Sequence, residues 1–378
     1  MIRLARPSIG EEDFEAVREV LASGFLVQGA RVAAFEESVA QYVGVKHAIA
    51  VSSGTAALHL ALLSLGIQSG DLVVVTAYSF VATANVIELC GARPVFVDID
   101  GDTFNLDPEC LEQVLAHLTR KKETAGRVKA VLPVHTFGQL ADMPSILEIA
   151  SRYGIPVVED AACALGATLH ERQAGTWGGL GCFSFHPRKA ITTGEGGMVV
   201  TDDARLARLL RALRNHGQDP DAVAPDFILP GLNYRMTEFQ AALGCVQLSK
   251  LEWILSKRRE LAANYDRLLA DSAFTAPSVP SGGNPVFQSY VVLMPEDASE
   301  RREECIRYLR ERDIETTIGT WHMPLTSYLR AAYGHKAGDF PVTDLVFSRS
   351  LALPLHQALE HAEQEHVIRV LETWYGQA

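Results

Sequence analysis

One lysine, Lys189, stands in a setting that suits covalent chemistry. Residues 183–197 read FSFHPRKAITTGEGG and place this lysine between a short aromatic segment and a glycine-rich turn. Its one charged neighbour in the chain is Arg188, and the other flanking residues are small, apolar or hydroxylated. A lysine held away from bulk water keeps a free amine that can form a Schiff base. The alternative is a loop lysine that extends into solvent; this stretch alone does not decide between the two.

A second candidate site is the turn SSGT at residues 52–55, which precedes a segment rich in Ala and Leu. Free backbone N–H groups, hydroxyls and the helix dipole at such a turn bind anions, phosphate most often. Ordinary helix capping by Ser or Thr is the alternative.

Apolar strands and amphipathic helices alternate through the first two-thirds of the chain. The hydrophobic pattern predicts strands at residues 47–51, 72–76, 94–98, 129–135, 155–159 and 198–201. Near-continuous apolar strands separated by helices indicate an α/β fold with a mainly parallel sheet covered on both faces.

The candidate site residues fall at or just past the ends of these strands. Gly54, Phe80, His135, Asp160 and Ser184 all occupy such positions. Ligands of parallel sheets bind at the carboxyl ends of the strands. We therefore expect these residues to meet at one edge, with Asp160 as an acid of the site.

The remaining elements suggest a second, smaller domain. Ser8 and Glu11 have capping-box spacing before a helix with Phe14 and Leu21 on one face. Thr237 is predicted to cap a long helix that runs to about residue 271. A stretch rich in Pro, Gly and Ser then leads into an α+β region, so we divide the chain into a large domain, 1–250, and a small C-terminal domain, 251–378.

Composition limits the possible partners. The chain has 378 residues, a formal net charge of −12, 48% hydrophobic residues and 21% charged residues, as expected of a globular protein. The negative charge argues against nucleic acid or a membrane surface as a partner. Six scattered cysteines show neither metal-ligand nor redox spacing, so we expect reduced thiols, no metal and a cytoplasmic location. Neither a signal peptide nor a membrane-spanning segment is predicted.

Six motifs, in order, resemble the DegT/StrS-type sugar aminotransferases, which use pyridoxal 5'-phosphate (PLP). Together with the end motif SLALPLH (350–356), they extend the resemblance over essentially the whole chain. The six motifs are SSGTAALHLAL (52–62), YSFVATANVI (78–87), PVHTFGQLADM (133–143), VVEDAACALGA (157–167), FSFHPRKAITTGEGGMVVT (183–201) and LNYRMTEFQAALG (232–244).

The resemblance implies a PLP-dependent transferase of fold type I, like aspartate aminotransferase, and a homodimer with shared active sites. Lys189 matches the lysine that forms the Schiff base with PLP, and Asp160 matches the acid that pairs with the pyridine nitrogen. Phe80 matches the aromatic residue that stacks on the ring. The residues that match phosphate contacts are Gly54, Thr55, Ser184 and Asn233, the last of which serves the neighbouring subunit.

The resemblance also implies a reaction. L-glutamate is the expected amino donor, and a nucleotide-linked keto-sugar is the expected acceptor. The version HPRKAITTGEGG at residues 186–197 is more similar to members that aminate C4 than to those that aminate C3, which favours a 4-keto-6-deoxyhexose. Candidate contacts to the sugar or its diphosphate are His186, His216, Arg235 and His322. For His186 a structural role is equally possible, and for His322 a packed histidine is the favoured alternative.

Several alternatives stay open. A keto-cyclitol or a C3-keto-sugar could be the acceptor, and the fold could also serve a lyase or a regulatory protein without enzymatic activity. The joint presence of Lys189, Asp160, Phe80 and Ser184 counts against a regulator. Cys163 departs from the family, because many members carry Gln or His at this position beside the cofactor.

Overall fold

One mixed sheet forms the centre of the large domain in the computed structural model, which describes residues 1–377. Two strand groups, ordered β1-β10-β9-β6 and β4-β2-β5, are joined by parallel bridges from Val131 to Val157 and from Val134 to Asp160. The strands of this domain are β1 (His47–Val51), β2 (Leu72–Thr76), β3 (Tyr78–Ser79), β4 (Arg93–Val97), β5 (Val128–Leu132), β6 (Val158–Asp160), β7 (Thr168–Leu169), β8 (Arg172–Gln173), β9 (Leu180–Ser184) and β10 (Gly197–Thr201).

The prediction of a mainly parallel sheet is confirmed, with β10 as the exception. This strand runs antiparallel to both β1 and β9. The segment between β9 and β10 contains no helix within the described residues, and a parallel neighbour needs a longer crossover. The chain instead turns back through residues 185–196, and Lys189 lies on this return.

Helices cover both faces of the sheet. Alternate residues of β2 enter different cores, because Val74 packs on one side while Val73 and Val75 pack on the other. The helices up to the domain junction are α1 (Glu11–Ser23), α2 (Ala30–Val43), α3 (Gly54–Ser64), α4 (Ala82–Leu89), α5 (Pro108–Arg120), α6 (Met143–Arg152), α7 (Ala204–Arg214), α8 (Glu238–Ser249) and α9 (Leu251–Leu268). Short 3₁₀ turns occupy Thr136–Gly138, Glu296–Arg301 and Met323–Leu325.

A second sheet, ordered β12-β15-β13, and its own apolar core define the small domain. Two short strands reach back to the large domain, since β11 pairs with β7 and β14 pairs with β3. The elements are β11 (Gly283–Asn284), β12 (Tyr290–Leu293), β13 (Thr317–Ile318), β14 (Trp321–His322), β15 (Ser350–Leu353), α10 (Arg302–Arg310), α11 (Ser327–Tyr333), α12 (Pro341–Arg349) and α13 (His361–Tyr375).

The predicted start of the first helix is wrong. Gly10, not Ser8, is the N-cap of α1, and its N–H donates to Oδ2 of Asp13 at 2.8 Å. Asp13 is buried, and its carboxylate also accepts hydrogen bonds from Gln247 of α8 and from Lys250, the residue after α8. The apolar face of α1 that carries Phe14 and Leu21 remains more than half exposed.

The predicted helix from Thr237 to about residue 271 is two helices. Thr237 does cap α8, in a capping box with Gln240. Lys250 then separates α8 from α9. The first turns of α9 pack into a core of the large domain through Leu251 and Leu255, whereas Tyr265 packs into the small domain. Helix α9 therefore connects the two cores.

Candidate active site

Lys189 lies where the chain returns from β9 to β10. Its backbone N–H donates to the carbonyl of His186 at 2.8 Å, which makes a tight turn. The side chain is half-buried, and its Nζ contacts Sγ of Cys163 at 3.0 Å. The amine thus points toward the turn that follows β6, which also carries Asp160 at its start.

Asp160 ends β6 and is 4% exposed. Oδ2 accepts a hydrogen bond from the Thr83 hydroxyl at 2.8 Å, and Oδ1 accepts one from the backbone N–H of Ala162 at 3.2 Å. Burial raises the pKa of Asp160, while these hydrogen bonds and the positive charge of Lys189 oppose that rise. The hydrogen bonds recorded for this carboxylate come from neutral donors, so a protonated ligand nitrogen would be a favourable partner.

Phe80 and the N-terminus of α4 form one wall of the site. Phe80 is 61% exposed, although it directly follows the buried strand β3. Ser79 links this wall to the acid, because its Oγ lies 3.2 Å from the Thr83 hydroxyl that binds Asp160. Phe80 is also one turn from this hydroxyl, because its carbonyl accepts the N–H of Thr83 at 3.1 Å.

The start of α3 meets the end of β9 at very short range. A Cβ placed on Gly54 would lie 2.7 Å from the Cβ of Ser184, so only glycine fits there without displacement. Ser53 caps the helix through the N–H of Ala56, and the side chain of Thr55, in the first turn of α3, is exposed. Such a helix start provides N–H groups and a favourable dipole for an anion.

Asn233 and Arg235 lie on the segment that runs beside this turn. Tyr234, between them, accepts a hydrogen bond from the N–H of Ser52 at 2.9 Å, and Arg235 bridges to Val51. The Arg235 guanidinium binds the Asn215 side chain, whereas Asn233 and His216 are exposed. These three predicted residues therefore lie together at the rim near β1.

The two other predicted histidines are in different environments. His186 is partly exposed beside Lys189; burial lowers its pKa, the charges of Lys189 and Arg188 lower it further, and Glu195 raises it. His322 is buried, with Nε2 at 3.0 Å from Oδ1 of Asp344. Its ring packs against Phe340 and Phe347, and burial lowers its pKa.

Sequence reasoning named His135 as a candidate site residue but missed its buried partner, Glu159, which precedes Asp160. Glu159 accepts a hydrogen bond from Nε2 of His135 at 2.8 Å and three more from the backbone N–H groups of Gly175, Trp177 and Gly178. Nδ1 of His135 accepts from the N–H of Ala141, so Nε2 carries the proton. The sequence feature that could have revealed this pair is Glu159 itself, a charged residue next to Asp160 at the end of an otherwise apolar strand.

The comparisons with known proteins agree with this geometry. Residues 7–372 match the model of the DegT/DnrJ/EryC1/StrS aminotransferase family. The chain belongs to this family. A GDP-perosamine synthase from Caulobacter vibrioides is 39% identical to it over 375 residues, which are 98% of this chain and 97% of the relative.

Solved structures show the same fold. PseC of Helicobacter pylori, an aminotransferase involved in pseudoaminic acid biosynthesis, has a TM-score of 0.91 at 28% identity, with full coverage of both chains. Spr1654 of Streptococcus pneumoniae, solved in a PLP form, has a TM-score of 0.91 at 26% identity and covers 100% of this chain and 99% of its own. The DegT-family chain is thus a sugar aminotransferase of fold type I that uses PLP, and the prediction of an enzyme is confirmed over that of a regulator.

The residues at the site fit PLP. The amine of Lys189 is available, the buried carboxylate of Asp160 favours a protonated nitrogen, and Phe80 offers an open ring face. The close approach of Gly54 and Ser184 leaves the N-terminus of α3 free for a phosphate. Within residues 1–377, no helix of this DegT-family enzyme is long and apolar enough to cross a membrane, and no cluster of three His, Cys, Asp or Glu side chains could hold a metal.

Proposed function

We propose that this enzyme transfers an amino group from L-glutamate to a nucleotide-linked 4-keto-6-deoxyhexose, giving an amino sugar and 2-oxoglutarate. The observation that carries the proposal is the near-full-length similarity to GDP-perosamine synthase. The motif at residues 186–197, which resembles members that aminate C4, supports the ring position. The relative's name makes a GDP-linked sugar the first acceptor to test.

Within this proposal, PLP supplies a ring that withdraws electrons from the carbon attached to the amino group. Asp160 keeps the ring nitrogen protonated through its buried carboxylate. Lys189 binds the cofactor covalently and, when its amine is free, moves a proton to or from the substrate carbon. Phe80 fixes the ring plane, while Gly54, Thr55 and Ser184 hold the phosphate at the start of α3.

We also propose a homodimer in which Asn233 contacts the phosphate of the neighbouring site. Support comes from exposed apolar side chains on α1 and the loop that follows, namely Phe14, Leu21, Phe25 and Val27. Val27 bridges to Thr237, so this surface adjoins the segment that carries Asn233. Clustered exposed apolar side chains are typical of a protein interface.

Substrate binding is proposed to use Arg235, His216 and His186. The Arg235 guanidinium would offset part of the diphosphate charge, and the two imidazoles would donate hydrogen bonds to oxygens of the sugar or the diphosphate. For His322 we propose a packing role, given its contacts with Asp344, Phe340 and Phe347.

We also propose a cytoplasmic location, which the six free cysteines support. The proposed boundary between the two domains lies near residue 250.

The first test is visible absorbance of the enzyme with PLP, before and after addition of L-glutamate, beside Lys189→Ala and Lys189→Arg. We expect a Schiff-base band in the wild type that fades with glutamate, and no such band in either variant. A band that ignores glutamate would exclude this donor. A band retained in Lys189→Ala would exclude the assigned lysine.

The acceptor is then tested with GDP-, UDP- and dTDP-linked 4-keto-6-deoxyhexoses and L-glutamate, with 2-oxoglutarate as the measured product. NMR of the amino sugar identifies the aminated carbon. Amination at C3, or turnover only with a keto-cyclitol, would contradict the sugar assignment and leave the PLP chemistry intact.

A further inference from the structure

We propose that Cys163 is a positioning residue that holds the free amine of Lys189 during the part of the cycle in which this lysine is not bound to the cofactor. The proposal rests on the proposed role of Lys189. Its direct basis is the contact of 3.0 Å between Lys189 Nζ and Cys163 Sγ. Sulfur is a weak hydrogen-bond partner, so this contact can orient the amine and still release it readily.

Cys163 is itself held in a fixed position. It lies on the turn after β6, where the N–H of Ala164 donates to the carbonyl of Ala161 at 2.9 Å. Its carbonyl packs so closely against Gly138 that a Cβ on that glycine would lie 2.9 Å from the oxygen. Because the backbone of Cys163 is held by the turn and by its packing against Gly138, its thiol moves little and can restrict the flexible side chain of Lys189.

The same turn carries the acid of the site. Asp160 lies three residues before Cys163, and Oδ1 of Asp160 accepts the N–H of Ala162 between them at 3.2 Å. The carboxylate and the thiol therefore belong to one rigid unit. An amine held by Cys163 stays at a fixed distance from whatever group Asp160 binds, which preserves the geometry needed for proton transfer.

The lysine is also held from its other side. The side chain of Gln288 donates to the carbonyl of Arg188 at 3.0 Å, and the N–H of Lys189 binds His186. These bonds fix the backbone of Lys189 but leave its four-carbon side chain free. Cys163 is thus the group that determines where the amine rests.

The contact is tested in the apoenzyme with ortho-phthalaldehyde, which joins a neighbouring amine and thiol in a fluorescent isoindole with loss of two waters. We expect isoindole fluorescence in the wild type, and peptide mass spectrometry should place it on Cys163 and Lys189. The signal should be absent in Cys163→Ala, Cys163→Ser and Lys189→Ala and unchanged in Cys90→Ala, a matched half-buried cysteine. Absence of this cross-link in the wild type would overturn the proposal.

The functional part is tested by single-turnover reaction with glutamate. We expect Cys163→Ala to bind PLP with a normal Schiff-base band but to react about fivefold more slowly, as for loss of one hydrogen bond. The KM for glutamate should not change, and Cys163→Ser should restore the rate. An unchanged rate in Cys163→Ala would refute the positioning role, whereas a missing band in that variant would contradict it by showing a role in cofactor binding instead. Only a band retained in Lys189→Ala would count against the assigned lysine.

Discussion

The hydroxyl of Thr83 donates a 2.8 Å hydrogen bond to Oδ2 of Asp160, and both residues are buried. Thr83 also lies 3.2 Å from the hydroxyl of Ser79, whose strand β3 pairs with β14 of the small domain. A buried acid is therefore connected, through two hydroxyls, to a strand of the other domain.

Replacement of Thr83 should shift the pH dependence of cofactor binding. Burial raises the pKa of Asp160 and the Thr83 hydrogen bond lowers it, so Thr83→Val should raise it further. Binding of a protonated ring nitrogen requires the ionised acid, so PLP affinity is present above this pKa and lost as the pH falls through it. In Thr83→Val, the loss should begin at higher pH, with affinity about tenfold weaker at pH values where the variant has lost its ionised acid and the wild type has not.

The measurement is the dissociation constant of PLP from the apoenzyme across pH, from visible absorbance. Thr83→Ser retains the hydroxyl and should follow the wild type. A Thr83→Val profile that coincides with the wild-type profile would mean that Thr83 does not control the charge of Asp160.

Enlargement of Gly54 should damage the phosphate site. In Gly54→Ala the new methyl group would lie 2.7 Å from the Cβ of Ser184, so the start of α3 must move away from β9. We expect PLP to bind at least tenfold more weakly, since the N–H groups of the helix start no longer converge on the phosphate. Titration of the apoenzyme with PLP measures this. Gly10→Ala is the matched control, because a Cβ on Gly10 meets nothing within 4 Å.

Loss of charge at Glu159 should destabilise the large domain. The two carboxylate oxygens of Glu159 accept hydrogen bonds from His135 and from three backbone N–H groups. In Glu159→Gln, an NH₂ group replaces one of these oxygens, so the buried N–H groups that it accepted lose their acceptor. We expect a loss of about 3 kcal/mol in the free energy of unfolding, the cost of buried hydrogen bonds to a carboxylate, measured by urea denaturation of the apoenzyme. The control is Glu112→Gln, which removes a surface pair with Arg152 and should cost less than about 1 kcal/mol. Equal losses of unfolding free energy in the two variants would show that the buried hydrogen bonds of Glu159 contribute no more to stability than a surface ion pair.

A charge on the exposed face of α1 should separate the proposed dimer. Phe14 is 54% exposed, so Phe14→Lys should leave the fold intact while weakening association at least tenfold. Size-exclusion chromatography with light scattering measures the mass, and PLP titration reports whether the shared site suffers. Leu345→Lys changes an exposed apolar residue of the small domain and should leave the dimer intact. A wild-type monomer with full activity would disprove the shared site.

The sequence predicted the mainly parallel sheet and the strand ends near Gly54, Asp160 and Ser184, because both follow from short-range rules. Gly54, Asp160 and Ser184 come at or just past strand ends, as the alternation of strands and helices indicates. Helix α1 was harder to predict, because its buried side depends on Asp13, which is bound by residues more than 200 positions away. The sequence placed Phe14 and Leu21 on one face of α1, but it did not indicate that this face would remain exposed.

Contacts that join distant turns were beyond sequence reasoning. The Cys163–Lys189 contact spans 26 positions and the Thr83–Asp160 bond spans 77. Both depend on where the turns after neighbouring strands meet, which hydrophobic periodicity does not specify. The break at Lys250 was also missed, because neither glycine nor proline marks it in the sequence.

Residues 2–4 belong structurally to the small domain, although they precede the whole large domain in the chain. Ile2 bridges to Ile314, the N–H of Leu4 donates to Glu315 at 3.0 Å, and the carbonyl of Leu4 accepts from Leu355. During synthesis on the ribosome, residues 2–4 therefore have no partner for their backbone hydrogen bonds until roughly three hundred further residues have been added. We expect the large domain to fold first and this early segment to dock last, so that its release would loosen the small domain while leaving Lys189 and Asp160 in place.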